Sequence, residues 1–266
     1  MEKAKEDGNP VLVIDSGNLF ADMGIHINRQ QARIKAQLIK RAYKRMGVAA
    51  MNVGDADLMQ GLSFLRSEAS RGLPLISANL IDPVRKSPLF APYTIKKVGK
   101  IRIALFGLMS PGNNRATPQP QENTFLVGDP AKAAREIVAK LRQKADIIIL
   151  LSNLDVQSER QVIKSVPGIH FVLGGREGRY IHAPLWEEHT PILESYRNGM
   201  YAGMLRVAFV KTSAPFVYKG AEERPGGLKD SEGVNTFVWA LVPLHTSLPE
   251  NRKVSSWIHK SGVGKD

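Results

Sequence analysis

The chain has 266 residues, of which 43% are hydrophobic and 23% are charged, a composition typical of a folded globular protein. It contains no cysteine, which excludes disulfides, thiolate metal sites and thiol nucleophiles. The 37 basic and 25 acidic residues give a formal net charge of +12, which favours attraction to phosphates and anionic surfaces.

Basic residues occur along the whole chain and are densest in residues 35–45, 96–102 and 252–260. They are not interleaved with aromatic residues in the manner of proteins that bind single-stranded nucleic acid by stacking. The charge therefore predicts only non-specific, salt-sensitive binding to nucleic acid.

Charge and hydropathy also indicate how the chain is divided. The first ten residues contain no apolar core, so they predict a flexible N-terminal segment over residues 1–10 without a signal peptide. No stretch approaches the roughly 18 apolar residues that a membrane span needs. We predict a single domain over residues 11–245 and a basic C-terminal tail over residues 246–266.

In the first third of the chain, apolar runs alternate with amphipathic segments. The run at residues 11–15 ends in Ser16-Gly17-Asn18, which predicts a buried strand followed by a loop. The next predicted elements are, in chain order, a helix over residues 30–46 that ends at Gly47, a strand over 48–53, a helix over 58–68 and a strand over 75–79.

The middle of the chain contains the clearest local signals. Residues 93–98 and 101–108 alternate between apolar and polar side chains around Gly99-Lys100, which predicts a tight hairpin. Asp129 and Pro130 supply the N-cap and the first-turn proline of a helix. Residues 147–151 are the most apolar run of the chain and predict a central strand.

The remainder of the chain is rich in predicted strands, at residues 170–173, 191–196, 204–210 and 236–244. An alternating front and a strand-rich back predict an α/β fold in which helices cover the sheets. Glycine and asparagine follow four of the predicted strands. Because ligands in such folds gather where loops leave the carboxyl ends of strands, we expect a functional site there.

These loop sequences are similar, in consistent order and spacing over roughly residues 10–210, to the 5′-nucleotidase branch of the calcineurin-like metallophosphoesterases. The segments that show the resemblance lie at residues 14–20, 47–57, 74–79, 88–93, 103–108, 145–154, 167–169, 174–178, 190–195 and 201–206. The resemblance implies an α/β fold with two stacked β-sheets flanked by helices, in four layers. It also implies a first strand with an Asp-x-His pair before Asp15, and this strand is apparently missing because those positions contain no histidine.

The chemistry of the resembled family depends on two divalent metal ions about 3.5–4 Å apart, which generate a hydroxide nucleophile. Such a centre needs carboxylate and imidazole ligands on several loops. Where the resemblance places these site positions, this chain has Asp15, Asn18, Asp55, Ala56, Asp57, Asn153, Arg176 and Gly178. The resemblance therefore implies that the imidazole ligands have been replaced, and that an amide stands where a carboxylate would bridge the metals.

The substitution of arginine for an imidazole leads to a prediction about charge. Arg176 is expected beside Asp55 and Asp57, where its guanidinium could pair with one carboxylate and replace the positive charge of a metal. The alternative is that Arg176 points to solvent. If the pocket persists, Gly54, Asn153, Gly175 and Arg176 predict a binding site for an anion such as a nucleotide phosphate.

Two functions follow from the resemblance. The first is a catalytically degenerate domain, without catalytic residues, metal or other cofactor, that binds a small anionic ligand or a protein partner supplying the missing elements. The alternative is a metal-dependent phosphoesterase that hydrolyses phosphate monoesters with a divalent ion such as Mn²⁺ or Zn²⁺, through Asp15, Asp55, Asp57 and Asn153. Because relatives are commonly exported, the resemblance also implies a periplasmic or extracellular location.

Overall fold

The computed structural model describes residues 8–20, 29–111, 124–197, 199–211, 214–221 and 233–262. Most of the predicted N-terminal segment, residues 1–7, lies outside this set. The elements up to residue 109 are β1 (Val13–Asp15), α1 (Arg29–Met46), β2 (Val48–Asn52), a 3₁₀ turn (Asp57–Gln60), α2 (Leu62–Ser70), β3 (Leu75–Ile76), β4 (Leu80–Ile81), β5 (Tyr93–Val98) and β6 (Ile101–Met109).

The remaining elements lie after residue 124. They are β7 (Leu126–Val127), α3 (Pro130–Leu141), β8 (Ile147–Asn153), α4 (Val156–Ser165), β9 (Phe171–Gly174), β10 (Leu185–Glu187), β11 (Thr190–Glu194), β12 (Tyr201–Ala208), β13 (Phe216–Tyr218), β14 (Asn235–Pro243) and α5 (Arg252–Ser261).

A six-stranded sheet with the order β10-β11-β9-β8-β6-β5 forms the centre of the fold. Strands β6, β8, β9 and β11 are parallel, and β5 and β10 pair antiparallel at the two edges. All seven residues of β8 are buried, which confirms the central strand predicted from residues 147–151. The predicted hairpin is also confirmed, because Val98 pairs with Ile101 across Gly99-Lys100.

Two three-stranded sheets, β1-β2-β3 and β12-β14-β13, provide the second β-layer. Their buried side chains share one core with the six-stranded sheet, in which Phe171 lies edge-on to Phe237 with ring centroids 5.2 Å apart. Helices α3 and α4 cover the other face of the six-stranded sheet, and helices α1 and α2 pack against β2 and β3. The layers therefore follow the order helix, sheet, sheet, helix, which confirms the predicted fold class.

Strand β1 lies at the edge of its sheet and pairs, among the described residues, with β2 alone. An edge strand exposes a row of unpaired backbone N–H and C=O groups. The strand before Asp15 that the resemblance implies has no counterpart in residues 8–20, where β1 is the first strand.

The sequence did not predict two helices that the structure contains. Helix α4 begins at the N-cap Asp155, whose side chain accepts a hydrogen bond from the amide of Ser158, but it has few apolar residues to reveal its period. Helix α5 lies within the predicted basic tail and packs against α1. None of the helices in the described part of the chain combines the length and apolar character needed to cross a bilayer.

Candidate functional site

The loops that follow β1, β2, β8 and β9 meet at one edge of the molecule, as the sequence predicted. Asn153, at the end of β8, accepts a hydrogen bond through its side-chain oxygen from the amide of Asp55 at 3.1 Å. The side-chain nitrogen of Asn18 approaches the carbonyl of Gly175 at 3.5 Å. We call this set of loop residues, Asn18, Gly54, Asp55, Ala56, Asp57, Asn153, Gly175 and Arg176, the loop cluster.

Glycine is required at two positions where these loops touch. A Cβ on Gly54 would lie 2.1 Å from the side-chain oxygen of Asn18, and a Cβ on Gly175 would lie 2.7 Å from the Cβ of Ser16. Both distances are well below van der Waals contact, so any larger residue would force the loops apart. The close approach of the loops thus depends on the absence of a side chain at these two positions.

Arg176 forms an ion pair with Asp55 across the loop cluster. Its Nη1 lies 2.6 Å from Oδ2 of Asp55, and the two side chains are 17% and 33% exposed. The predicted pairing of Arg176 with a neighbouring carboxylate is therefore present, and the alternative of a guanidinium pointing to solvent is wrong. The pair has one nitrogen–oxygen contact rather than a two-bond fork, and the other oxygen of Asp55 accepts from the amide of Ala56.

Asp57 lies two residues away but faces the interior. Its carboxylate is fully buried and accepts hydrogen bonds from the amides of Asn18, Phe20 and Gly54 at 2.8–2.9 Å. Burial raises the pKa of Asp57 to about 7, although the three amide donors act in the opposite direction. Asp57 therefore joins the loop after β1 to the loop after β2.

Asp15 lies beneath the loop cluster rather than in it. One of its oxygens accepts from the amide of Gly17 at 2.7 Å, and the other accepts from the hydroxyl of Tyr43 at 2.6 Å. Burial raises the pKa of the Asp15 carboxyl, and burial together with the nearby Asp15 charge raises the pKa of the Tyr43 hydroxyl. Asp15 thus anchors helix α1 to the end of β1.

Two of the four residues predicted to bind an anion have no free donor. The amide of Gly54 donates to Asp57, and the amide of Gly175 donates to the carbonyl of Ser152 at 2.9 Å. The side-chain nitrogen of Asn153 is buried and has no hydrogen-bond acceptor among the described residues. Only Arg176 and Asn153 therefore keep the donors that the prediction required.

Gly178 lies beyond the loop cluster, against strand β11. Its amide donates to the side chain of Glu194, and its φ of 63° falls in the left-handed region. Glu194 also accepts from Nε of Arg179 at 2.8 Å, and the other end of the guanidinium lies 3.5 Å from Glu159. Sequence patterns did not indicate Glu159 or Glu194, because Glu159 lies on helix α4, which was not predicted, and Glu194 ends an apolar strand.

His170, the first residue of the predicted strand over residues 170–173, has a structural role. Nδ1 of His170 accepts a hydrogen bond from the amide of Ile148 at 2.9 Å, and burial lowers the pKa of the imidazole. The loop cluster itself contains no imidazole.

The side-chain oxygens of the loop cluster do not fit the two-metal centre that the fold family implies. The oxygens of Asp57 are directed at three amides, those of Asn18 and Asn153 at the amides of Ala56 and Asp55, and Asp55 is paired with a cation. In the described part of the chain, no group of three or more histidine, aspartate or glutamate side chains could hold a metal ion. A guanidinium at this place would also repel divalent cations.

Comparison with known proteins identifies relatives among phosphoesterases. No family model matches the chain. A 2′,3′-cyclic-nucleotide 2′-phosphodiesterase/3′-nucleotidase of Salmonella typhimurium is 22% identical over 276 residues, covering 86% of this chain and 42% of that protein. A metallophosphoesterase of Bacillus subtilis is 28% identical over 211 residues, covering 77% of this chain and 44% of the relative.

Solved structures show the same fold. A 5′-nucleotidase precursor from Thermus thermophilus aligns with a TM-score of 0.74 and 18% identity over 98% of this chain and 51% of that chain. A calcineurin-like phosphoesterase from Bacillus subtilis aligns with a TM-score of 0.73 and 17% identity over 98% and 85% of the two chains.

The relatives and the structural neighbours include 5′-nucleotidases and calcineurin-like metallophosphoesterases, which confirms the predicted superfamily. The chain spans less than half the length of the two curated relatives described above.

Proposed function

We propose that this chain is a catalytically degenerate relative of the 5′-nucleotidases, whose loop cluster binds the phosphate group of a nucleotide or another small anion without hydrolysing it. The observation that supports this most directly is the ion pair between Arg176 and Asp55. A guanidinium occupies the position at which the family resemblance places a metal-binding imidazole.

The loss of catalysis follows from the contacts that the remaining side-chain oxygens make. The oxygens of Asp57 accept hydrogen bonds from three backbone amides, and the side-chain oxygen of Asn153 accepts one from the amide of Asp55. Neither side chain therefore presents a free oxygen to a metal. A dinuclear centre also needs negative charge to hold two cations close together, and Asn18 supplies none at the bridging position. Without metal, the loop cluster has no group placed to generate a hydroxide nucleophile.

Anion binding follows from the donors that remain. A guanidinium has five N–H donors, and the described contacts of Arg176 use one of them, on Asp55. The buried side-chain nitrogen of Asn153 adds a donor without a partner among the described residues. Planar donors of this kind recognise phosphate oxygens well.

The proposal predicts that the purified protein neither retains divalent metal nor hydrolyses phosphate esters. We expect elemental analysis after dialysis against Mn²⁺ or Zn²⁺ to find well under one metal ion per chain. We also expect no chelator-sensitive hydrolysis of an aryl phosphate or of AMP. Two tightly held metal ions per chain, or turnover that disappears with EDTA, would instead establish the metal-dependent phosphoesterase.

The proposal also predicts opposite effects of two substitutions on phosphate binding. Arg176→Gln removes the charged donor, so we expect calorimetry with AMP and inorganic phosphate to show binding weakened about tenfold or more. Asp55→Asn removes the competing carboxylate but keeps an oxygen for the amide of Ala56, so we expect binding several-fold tighter. Arg135→Gln changes the charge equally on an exposed face of α3 and serves as the matched control.

Equal loss of binding in Arg176→Gln and Arg135→Gln would show that net charge, not the loop cluster, attracts the anion. Absence of binding by wild-type protein at millimolar phosphate and AMP would contradict the proposal directly.

Export from the cytoplasm, and a protein partner that pairs with the open edge of β1, remain predictions.

A further inference from the structure

Helices α1 and α5 lie side by side although about 200 residues separate them in the sequence. The groove between them has a volume of about 500 Å³. Its lining includes the apolar side chains of Ile34, Leu38 and Trp257 and the cationic side chains of Arg33, Arg41 and Lys260. We call this surface, formed by both helices and the groove, the basic face.

The basic face has an unusual concentration of one charge. Helix α1 contains seven lysines and arginines and α5 contains three, and neither helix contains an acidic residue. Among the ion pairs formed by the described side chains of the two helices, one is present, between Lys40 and Glu68. Two of the three densest basic segments of the sequence thus share one surface, at a cost in mutual repulsion that a bound anionic partner would relieve.

Apolar side chains accompany this charge. None of the residues of α5 is fully buried, and Ile258 is 44% exposed. Leu248, in the segment that leads into α5, is 48% exposed. A short amphipathic helix with basic residues beside a tryptophan and exposed aliphatic residues is typical of segments that lie in the interface of a bilayer.

The exposed groups favour a lipid surface over nucleic acid. Nucleic acid would engage the cations through its phosphates but offers no apolar environment for Ile258 and Leu248. Binding to unpaired bases needs free aromatic faces, whereas the guanidinium of Arg41 lies over the ring of Trp257, 4.1 Å from its centroid. An anionic lipid surface supplies both phosphate charge and an apolar layer.

We propose that the basic face binds the surface of an anionic phospholipid bilayer, with α5 lying along the interface. The lysines and arginines of α1 and α5 contact the lipid phosphates, and Ile258 and Leu248 enter the layer between the headgroups and the acyl chains. The contact is peripheral and depends on ionic strength.

The test is co-sedimentation of the full chain with vesicles of phosphatidylcholine alone or with about 30% phosphatidylglycerol, a composition that supplies the negative surface potential. We expect binding only to the anionic vesicles and release at about 0.5 M salt, where the Debye length falls well below its physiological value. Arg33→Glu, Arg41→Glu and Lys260→Glu combined are expected to weaken partitioning at least tenfold.

A matched control has the same change in net charge elsewhere. Lys97→Glu, Lys100→Glu and Lys140→Glu combined alter exposed residues on the β5–β6 hairpin and on α3, and should change partitioning less than threefold. Equal loss with both triple variants would overturn the proposal in favour of non-specific charge. No binding of the wild-type chain to anionic vesicles at low salt would overturn it outright.

Ile258→Ser separates lipid binding from simple charge attraction. We expect this exposed substitution to weaken vesicle binding several-fold and to leave any binding to duplex DNA unchanged. Unchanged vesicle binding would overturn the proposed entry of Ile258 into the bilayer. Binding to DNA that exceeds binding to anionic vesicles and is lost in the Arg33, Arg41 and Lys260 variant would assign the basic face to nucleic acid instead. Arg176→Gln should bind vesicles normally, so this test is independent of the loop cluster.

Discussion

Replacement of Asp57 by alanine is expected to destabilise the protein by about 4 kcal/mol, because each buried backbone donor left without a partner costs about 1–3 kcal/mol. The carboxylate accepts from the amides of Asn18, Phe20 and Gly54, and water cannot replace it at a fully buried position. Urea unfolding at pH 8, above the raised pKa of Asp57, followed by circular dichroism, measures the loss. The size of the effect reflects three amides on two separate loops that depend on one side chain.

Asp55→Ala is the matched control, since it removes a carboxylate two residues away on the same loop. This side chain is 33% exposed and, among the described residues, its one contact with a distant residue is the ion pair with Arg176, so we expect a loss below about 1 kcal/mol. Similar losses of stability for the two variants would contradict the inference that the hydrogen bonds of Asp57 join the two loops. A loss below about 1.5 kcal/mol for Asp57→Ala would mean that the amides find other acceptors.

Much of the fold was predictable because hydrophobic patterning and turn residues agree along the sequence. The run at residues 147–151 predicts β8, and Gly99-Lys100 predicts the turn between β5 and β6. Within each sheet, the proximity of the loops after β1 and β2, and of the loops after β8 and β9, follows from the rule that parallel strands present their carboxyl ends at one edge. The family resemblance added the stacking of the two β-layers, which local patterning alone does not specify.

The roles of individual residues in the loop cluster were less predictable. Asp55 and Asp57 are identical in type and two positions apart, yet one pairs with Arg176 near the surface and the other is buried under three amides. The spacing of the two residues contains no information about which carboxylate turns inward. The same limit explains Gly54 and Gly175, whose amides were predicted to be free and are donated to Asp57 and Ser152.

The association of α1 with α5 could not be predicted from the sequence either. Each segment is recognisable as basic, but like charges argue against packing the two together. The groove residues Ile34, Leu38 and Trp257 provide the apolar contact, and Arg41 packs its guanidinium against the indole ring. The structure therefore combines in one surface what the sequence presents as two unrelated charged stretches.

A second substitution tests the buried carboxylates beside Gly174. Glu159 is fully buried, and burial raises its pKa to about 7 even though Arg179 lies close by and lowers it. An unfolded chain ionises this group near its ordinary value of 4.5, whereas the folded protein retains the proton until about pH 7. The folded state thus binds more protons between these two values, so stability falls as the pH rises through that window.

Glu159→Gln is therefore expected to remove a pH-dependent loss of stability. The difference between 4.5 and about 7 corresponds to about 3 kcal/mol, so the variant should match wild type at pH 4.5 and exceed it by about 3 kcal/mol at pH 8. Arg179 keeps Glu194 and Glu177 as partners, which limits any loss from the substitution itself. Urea unfolding at half-unit steps of pH measures the two curves.

Glu136→Gln, at an exposed position on α3, provides the control and should leave the pH dependence of stability parallel to that of wild type. Parallel curves for Glu159→Gln and wild type would contradict a raised pKa at Glu159. Lower stability of the variant at pH 8 would show that the ionised carboxylate, held by Arg179, stabilises the fold. That result would reverse the sign of the linkage, because stability from this group would then be lost as the pH falls.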